Sequence, residues 1–171
     1  MKNLITVPNM VTIVGIFIAI GAIIYREHLM IAMVLIIANI FIDYFDGKLA
    51  QWLSQESKLG CILDSLNDFL GFLLAPMVLV FANYPIELLF YIIAIVYCIA
   101  GTYRLIREHR LAKSDHFTGL PTTASAFTLL SGLILLNILP ITLETQYRVL
   151  LILIFLLSAF MISKIPVKRL P

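Results

Sequence analysis

The stretch IDYFDGKLAQWLSQESKLGCILDSLNDFLGF, residues 42–72, interrupts an apolar chain with four aspartates at helical spacing. Asp43 and Asp46 are three positions apart, and Asp64 and Asp68 are four apart. At about 100° per residue each pair projects from one face of its own helix, and the intervening turn folds the helices back so that the two faces meet. Four carboxylates in so small a volume repel one another and, at membrane depth, lose hydration, so protons or a cation must neutralise them. Hard oxygen ligands in this number suit magnesium, manganese or calcium better than zinc, and no nearby set of histidines or cysteines argues otherwise. Gly47 and Ala50 follow Asp43 by one and two turns, and Gly60 precedes Asp64 by one turn. Small residues there let a flat or bulky ligand approach the backbone. Solvated helix ends, or pairing with nearby lysines, would be the structural account of a single aspartate. Four in register on adjoining helices argue for function instead.

Outward from this segment, the composition sets the class. The 171 residues are 61% hydrophobic and 13% charged, with a mean hydropathy of +1.03, far too apolar for an ordinary soluble domain. Largely apolar stretches run over residues 7–25, 29–42, 70–81, 88–103, 124–139 and 149–163. With roughly 20 helical residues needed per crossing, the expectation is an all-α polytopic membrane protein of about six transmembrane helices joined by short loops. Residues 1–171 are read as one membrane domain, with no internal repeat of the kind that builds inverted-half transporters. The first apolar stretch lacks a small-residue cleavage site and is kept as a span rather than a signal peptide. Net charge is +2, which says little about partners, and no nucleic-acid partner is expected. Cys61 and Cys98 have no metal-ligand spacing and read as small core residues.

Six spans put the N-terminus, the second and fourth loops and the C-terminus on one side. Of the twelve Lys and Arg residues, only Arg26 and Arg148 fall on the other. By the positive-inside bias both termini are cytosolic, and the aspartates face the cytosol from the cytoplasmic membrane. Pro85 and Pro140 suit the short outer turns.

The aspartate segment resembles the signature of the CDP-alcohol phosphatidyltransferases, D-x-x-D-G-x-x-A-R followed after eight residues by G-x-x-x-D-x-x-x-D. Asp43, Asp46, Gly47, Ala50, Gly60, Asp64 and Asp68 match it in identity and spacing. Gln51 departs from it, standing where the family carries arginine. Glutamine keeps hydrogen-bonding capacity but loses the fixed charge and planar fork suited to phosphate, and Lys48, one turn earlier, is a candidate to compensate. Pro8 and Asn9 open the first helix as in many family members. Within the family the chain is most similar to the phosphatidylserine synthases of bacteria and archaea, on LDSLNDFLGFLLAP (63–76), Arg104 and Arg107, FTGLP (117–121) and SKIP (163–166).

The resemblance implies transfer of a phosphatidyl group from CDP-diacylglycerol to L-serine, with release of CMP, by a homodimer. It implies that Asp43, Asp46, Asp64 and Asp68 hold two divalent ions, Mg2+ or Mn2+ with Ca2+ as a further option, and that Asp68 takes the proton of the acceptor hydroxyl. Donor contacts fall on Asn9, Asp46, Gly47, Lys48, Ala50, Gln51 and Gly60.

Arg104, Arg107, Arg110 and Lys113 recur at helical spacing at the cytosolic end of the fourth span. All four can be plain anchors against anionic lipid. Arg104 and Arg107, nearest the apolar span, are the candidates for the acceptor carboxylate or a lipid phosphate. Gly119 and Pro121 shape a loop into the fifth helix, with Thr122 or Thr123 as its N-terminal cap, and the sharper reading places them at the acceptor pocket. His28, His109 and His116 sit at span boundaries and are assigned no role. Two other functions compete: the same chemistry with glycerol phosphate or an inositol phosphate as acceptor, and a cation transporter. The transporter would not require Gly47, Ala50 and Gly60 at these spacings.

Overall fold

The computed structural model describes residues 6–55, 57–84, 87–110, 116–163 and 166–168. These form α1 (Val7–Ile24), α2 (Leu29–Trp52), α3 (Lys58–Asp68), a π-helical stretch (Phe69–Leu74), α4 (Ala75–Asn83), α5 (Leu88–Arg110), α6 (Thr122–Ile138) and α7 (Leu143–Ile162). A minimal ribbon, β1 (His116–Thr118) with β2 (Pro166–Lys168), pairs antiparallel with Phe117 opposite Val167. The class is all-α. Five helical spans are long and apolar enough to cross a membrane, the third being the continuous run Lys58–Asn83, while Thr122–Ile138 is apolar but shorter. The expected six thus resolve into five full-length spans and one at the lower limit of about 17 residues. This is an integral membrane protein.

Several helices outrun their apolar stretches, α2 and α7 among them. α2 continues through Asp43 and Asp46 to Trp52, because Lys48, Leu49, Ala50 and Gln51 all favour helix and no proline intervenes. α7 starts at Leu143 rather than Val149, because Thr142 caps it by accepting from Thr145 N and Glu144 lies in the positive first turn.

The chain divides into two compact units, Met1–Asn83 and Tyr84–Pro171. In the first, α1 packs on α2 and α3. Pro8, Thr12, Gly15, Ala19 and Ala22, buried along with Asn9, form a stripe of small residues along one face, which lets neighbouring backbones approach closely. The opposite face carries exposed Phe17 and Ile24, as α2 carries Met30, Val34 and Phe41. In hydrocarbon such side chains have no reason to turn inward, so composition alone does not orient these helices.

In the second unit α7 packs on α5 and α6. Branched aliphatic side chains fill its interior: Leu150, Ile154 and Leu157 of α7 are buried, as are Leu129, Leu130 and Leu133 of α6. Buried Tyr97 and Ser125 hydrogen-bond at 3.0 Å, and Asn137 Nδ2 donates to the Tyr84 hydroxyl at 3.1 Å.

The loop into α6 is pinned to the end of α7. Leu120 N donates to the Phe160 carbonyl at 3.1 Å, and the Arg107 guanidinium donates to the carbonyls of Met161, Ile162 and Ser163 at 3.1–3.2 Å. These are carbonyls that a helix C-terminus leaves without intrahelical partners. Gly119 has φ +81°, and a methyl group built on it would lie 2.5 Å from Met161 O and 2.6 Å from the Arg107 guanidinium. Thr122 does not cap α6: the N-cap position is Pro121, with no side-chain cap, and the Thr122 hydroxyl instead accepts from Arg104.

Gly119→Ala should therefore lower the unfolding temperature of the detergent-purified protein. A left-handed alanine costs about 1–2 kcal/mol before any clash is counted. Unchanged stability would contradict the pinned loop.

Candidate active site

The turn between α2 and α3 has a clear local cause. Ser54 N donates to Gln51 O and Gln55 N to Ala50 O, with Ser54 in the left-handed region at φ 51°. That is the Schellman pattern for ending a helix, built here with serine where glycine is usual. Ser57 then caps α3 by accepting from Gly60 N at 2.9 Å.

The reversal brings three of the four aspartates together. One carboxylate oxygen from each of Asp43, Asp46 and Asp64 lies within 4.8 Å of the others. Asp46 is buried, with its Oδ2 lacking a hydrogen-bond partner among the described residues. Asp43 and Asp64 are half-buried, and Asn67 Nδ2 donates to Asp43 Oδ1 at 3.3 Å. Asp68 stands outside the group of three, half-buried and within hydrogen-bond reach of Asp43. Converging hard oxygens with one orphaned buried carboxylate oxygen fit a divalent cation, because a cation supplies the missing partner and cancels the repulsion.

Beside this group opens a cavity of about 680 Å³ lined by residues of α1, α2, α3 and the turn. Its wall includes Asn9, Asp46, Gly47, Ala50, Gln51, Gly60 and Asp64, so six of the seven expected donor contacts share one space. Lys48 is the exception. Its ammonium lies 4.6 Å from the centre of the Tyr44 ring, and Lys58 is the lysine that lines the cavity. Lys58, Thr12 and Gln55 escaped the reading of the sequence; the Ser57 cap just ahead of Lys58 was the available signal, because it starts α3 there.

The two glycines differ. A methyl group on Gly47 would meet nothing within 4 Å, whereas one on Gly60 would lie 2.7 Å from Asn9 Oδ1. Gly47 leaves room for a ligand, and Gly60 leaves room for Asn9.

The basic candidates lie in the second unit. Arg104 is buried, donating to Thr122 Oγ1 at 3.2 Å and pairing with Glu108 at 2.8 Å. Arg107 holds the end of α7 as described, and Gly119 and Pro121 belong to the loop it pins. Pro85, Lys113, Lys164 and Ile165 lie outside the described residues, as do the side chains of Arg110, His109 and His116.

A family model for CDP-alcohol phosphatidyltransferases matches residues 3–163, across both units. The chain belongs to that family and is a membrane-embedded transferase of phospholipid biosynthesis. It is 31% identical to a CDP-diacylglycerol–serine O-phosphatidyltransferase of Methanocaldococcus jannaschii, over 99% of this chain and 77% of that protein. Proteins of the same name from Helicobacter pylori (strain 26695) and Bacillus subtilis are 27% and 34% identical, over 92% and 67% of this chain and 70% and 68% of their own lengths.

Gly47→Ala should leave folding intact or improve it, since alanine in a helix interior is favoured over glycine by roughly 0.5–1 kcal/mol. It should nonetheless raise the KM for the CDP-lipid. Gly60→Ala should lower stability and donor use together. Thermal unfolding beside donor kinetics reads both, and a Gly47→Ala enzyme with unchanged donor KM would place the donor elsewhere.

Proposed function

We propose that this protein transfers the phosphatidyl group of CDP-diacylglycerol to L-serine, yielding phosphatidylserine and CMP. The observation that carries the reading is a group of carboxylates opening on a cavity walled by small residues, in a chain whose relatives are named for this reaction. In this reading the cytidine and pyrophosphate lie against Gly47, Ala50 and Gly60, with Asn9 and Gln51 offering hydrogen bonds and Lys58 a cation. Gln51 lacks the charge of the family arginine, and Lys58 is better placed than Lys48 to supply it.

Asp43, Asp46, Asp64 and Asp68 would hold two divalent ions, Mg2+ or Mn2+, which when bound neutralise charge on the pyrophosphate and on departing CMP. Asp68 serves as general base. As the serine oxygen bonds to the phosphatidyl phosphorus, its proton passes to the Asp68 carboxylate, and the P–O bond to CMP breaks with its electron pair leaving on CMP. Arg104 is assigned the serine carboxylate: Thr122 and Glu108 engage two of the five N–H donors of a guanidinium. Arg107, Gly119 and Pro121 hold the loop segment that positions Thr122. The asymmetry of Lys and Arg supports a site on the cytosolic face of the cytoplasmic membrane, with both termini inside. The active form is taken to be a homodimer.

Asp68→Asn should remove nearly all turnover while the protein remains folded in detergent, and normal turnover would end the general-base assignment. Arg104→Ala should raise the KM for serine far more than that for CDP-diacylglycerol, because the lost ion pair belongs to the acceptor alone. Ethanolamine, without a carboxylate, should be a poor acceptor for the wild type. Equal loss for both substrates would make Arg104 structural, and efficient transfer to glycerol phosphate but not serine would refute serine as acceptor.

A further inference from the structure

Behind the carboxylates lies a pair of buried amides that the chemistry above does not use. Asn39 sits on α2 one turn before Asp43, and Asn67 sits on α3 just before Asp68; both are 0% exposed. Neither amide atom of Asn39 has a hydrogen-bond partner among the described residues, nor has Asn67 Oδ1. The other end of the Asn67 amide is engaged, donating to Asp43 Oδ1. An amide without its hydrogen bonds is costly in a protein interior, where leucine of nearly the same shape would cost nothing of the kind. A polar side chain at such depth in a membrane protein marks a functional position more often than not.

The surrounding helices are relieved to admit the pair. A methyl group on Gly15 would lie 2.9 Å from Asn39 Oδ1 and 3.1 Å from Asn67 Oδ1, and one on Gly71 would collide with Asn39 Nδ2. Both amides therefore border the same point over Gly15, and Gly71, within the π-helical stretch, makes room for Asn39. A half-turn of the Asn39 amide about χ2 exchanges its oxygen and nitrogen and puts its NH2 group over Gly15, the point that Asn67 Oδ1 also borders.

We propose that Asn39 and Asn67 are positioning residues for the metal site: Asn39 donates to Asn67 Oδ1, which holds the Asn67 N–H on Asp43 and fixes the Asp43 carboxylate toward Asp46 and Asp64. The inference rests on the reading that these aspartates bind a divalent cation. Partners behind a metal ligand orient it, and their loss typically costs roughly 10–100-fold in metal affinity.

The test is Mn2+ binding to the purified full chain in detergent, followed by the electron paramagnetic resonance of free Mn2+, with thermal unfolding of the metal-free protein in parallel. Asn67→Leu should weaken Mn2+ binding roughly 10–100-fold, and Asn39→Leu should weaken it less. The double variant Asn39→Leu/Asn67→Leu should bind Mn2+ as weakly as Asn67→Leu while unfolding at a higher temperature than that single variant, because no amide is left without a partner. Wild-type affinity in Asn67→Leu or in the double variant overturns the proposal, as does an affinity that merely follows unfolding temperature across the set. If Asn67→Leu does not fold, the double variant decides. A wild-type chain that binds no Mn2+ defeats the metal reading itself, and the inference with it, a result distinct from any seen only in the variants.

Discussion

Carboxylates brought together in a poorly hydrated place are the constraint on which the amino-terminal unit depends. Asp46 is almost wholly buried with one oxygen lacking a partner among the described residues, and Asp43 and Asp64 stand within a few ångströms of it. Like charges in such surroundings are tolerated only when opposite charge or hydrogen bonds compensate them. The local architecture reads as the means of holding them there. α2 is carried beyond its apolar stretch, a Schellman turn reverses the chain at Ser54, and the Ser57 cap starts α3 at once, so the second pair of acids returns beside the first. The small-residue face of α1 closes over this hairpin and contributes Asn9 and Thr12 to the cavity.

The carboxy-terminal unit solves a different problem. Arg104 and Arg107 near the end of α5 are engaged with the protein: Arg104 with Glu108 and Thr122, Arg107 with the carbonyls at the end of α7. A guanidinium suits both tasks, because its planar set of donors can serve several oxygens at once and stays charged when buried. Arg104 and Arg107, nearest the apolar segment, organise the fold.

Much of this was legible in the sequence. Hydropathy marked the spans, and the spacing of Asp43, Asp46 and Asp64 with Gly47, Ala50 and Gly60 pointed to the candidate site, because helical period alone dictates which side chains share a face. Less legible were contacts that depend on a helix from elsewhere in the chain. The sequence pointed to Lys48, whereas the hairpin geometry turns Lys48 onto Tyr44 and Lys58 into the cavity. Gly60 read as room for a ligand, whereas α1 brings Asn9 against it. Thr122 had the chemistry of a cap, but the buried Arg104 guanidinium takes its hydroxyl first. Asn39 was the quietest signal of all, one amide in an apolar run, whose meaning depends on Asn67, Gly15 and Gly71 from other segments.

If the aspartates work by holding a divalent cation during phosphatidyl transfer, activity must follow the metal. The most direct measurement is CMP release by the purified protein from CDP-diacylglycerol and serine, before chelation, after exhaustive chelation and after Mg2+ or Mn2+ is restored. The account predicts release that requires both substrates, vanishes on chelation and returns with the metal. Undiminished turnover in the chelated protein would contradict it.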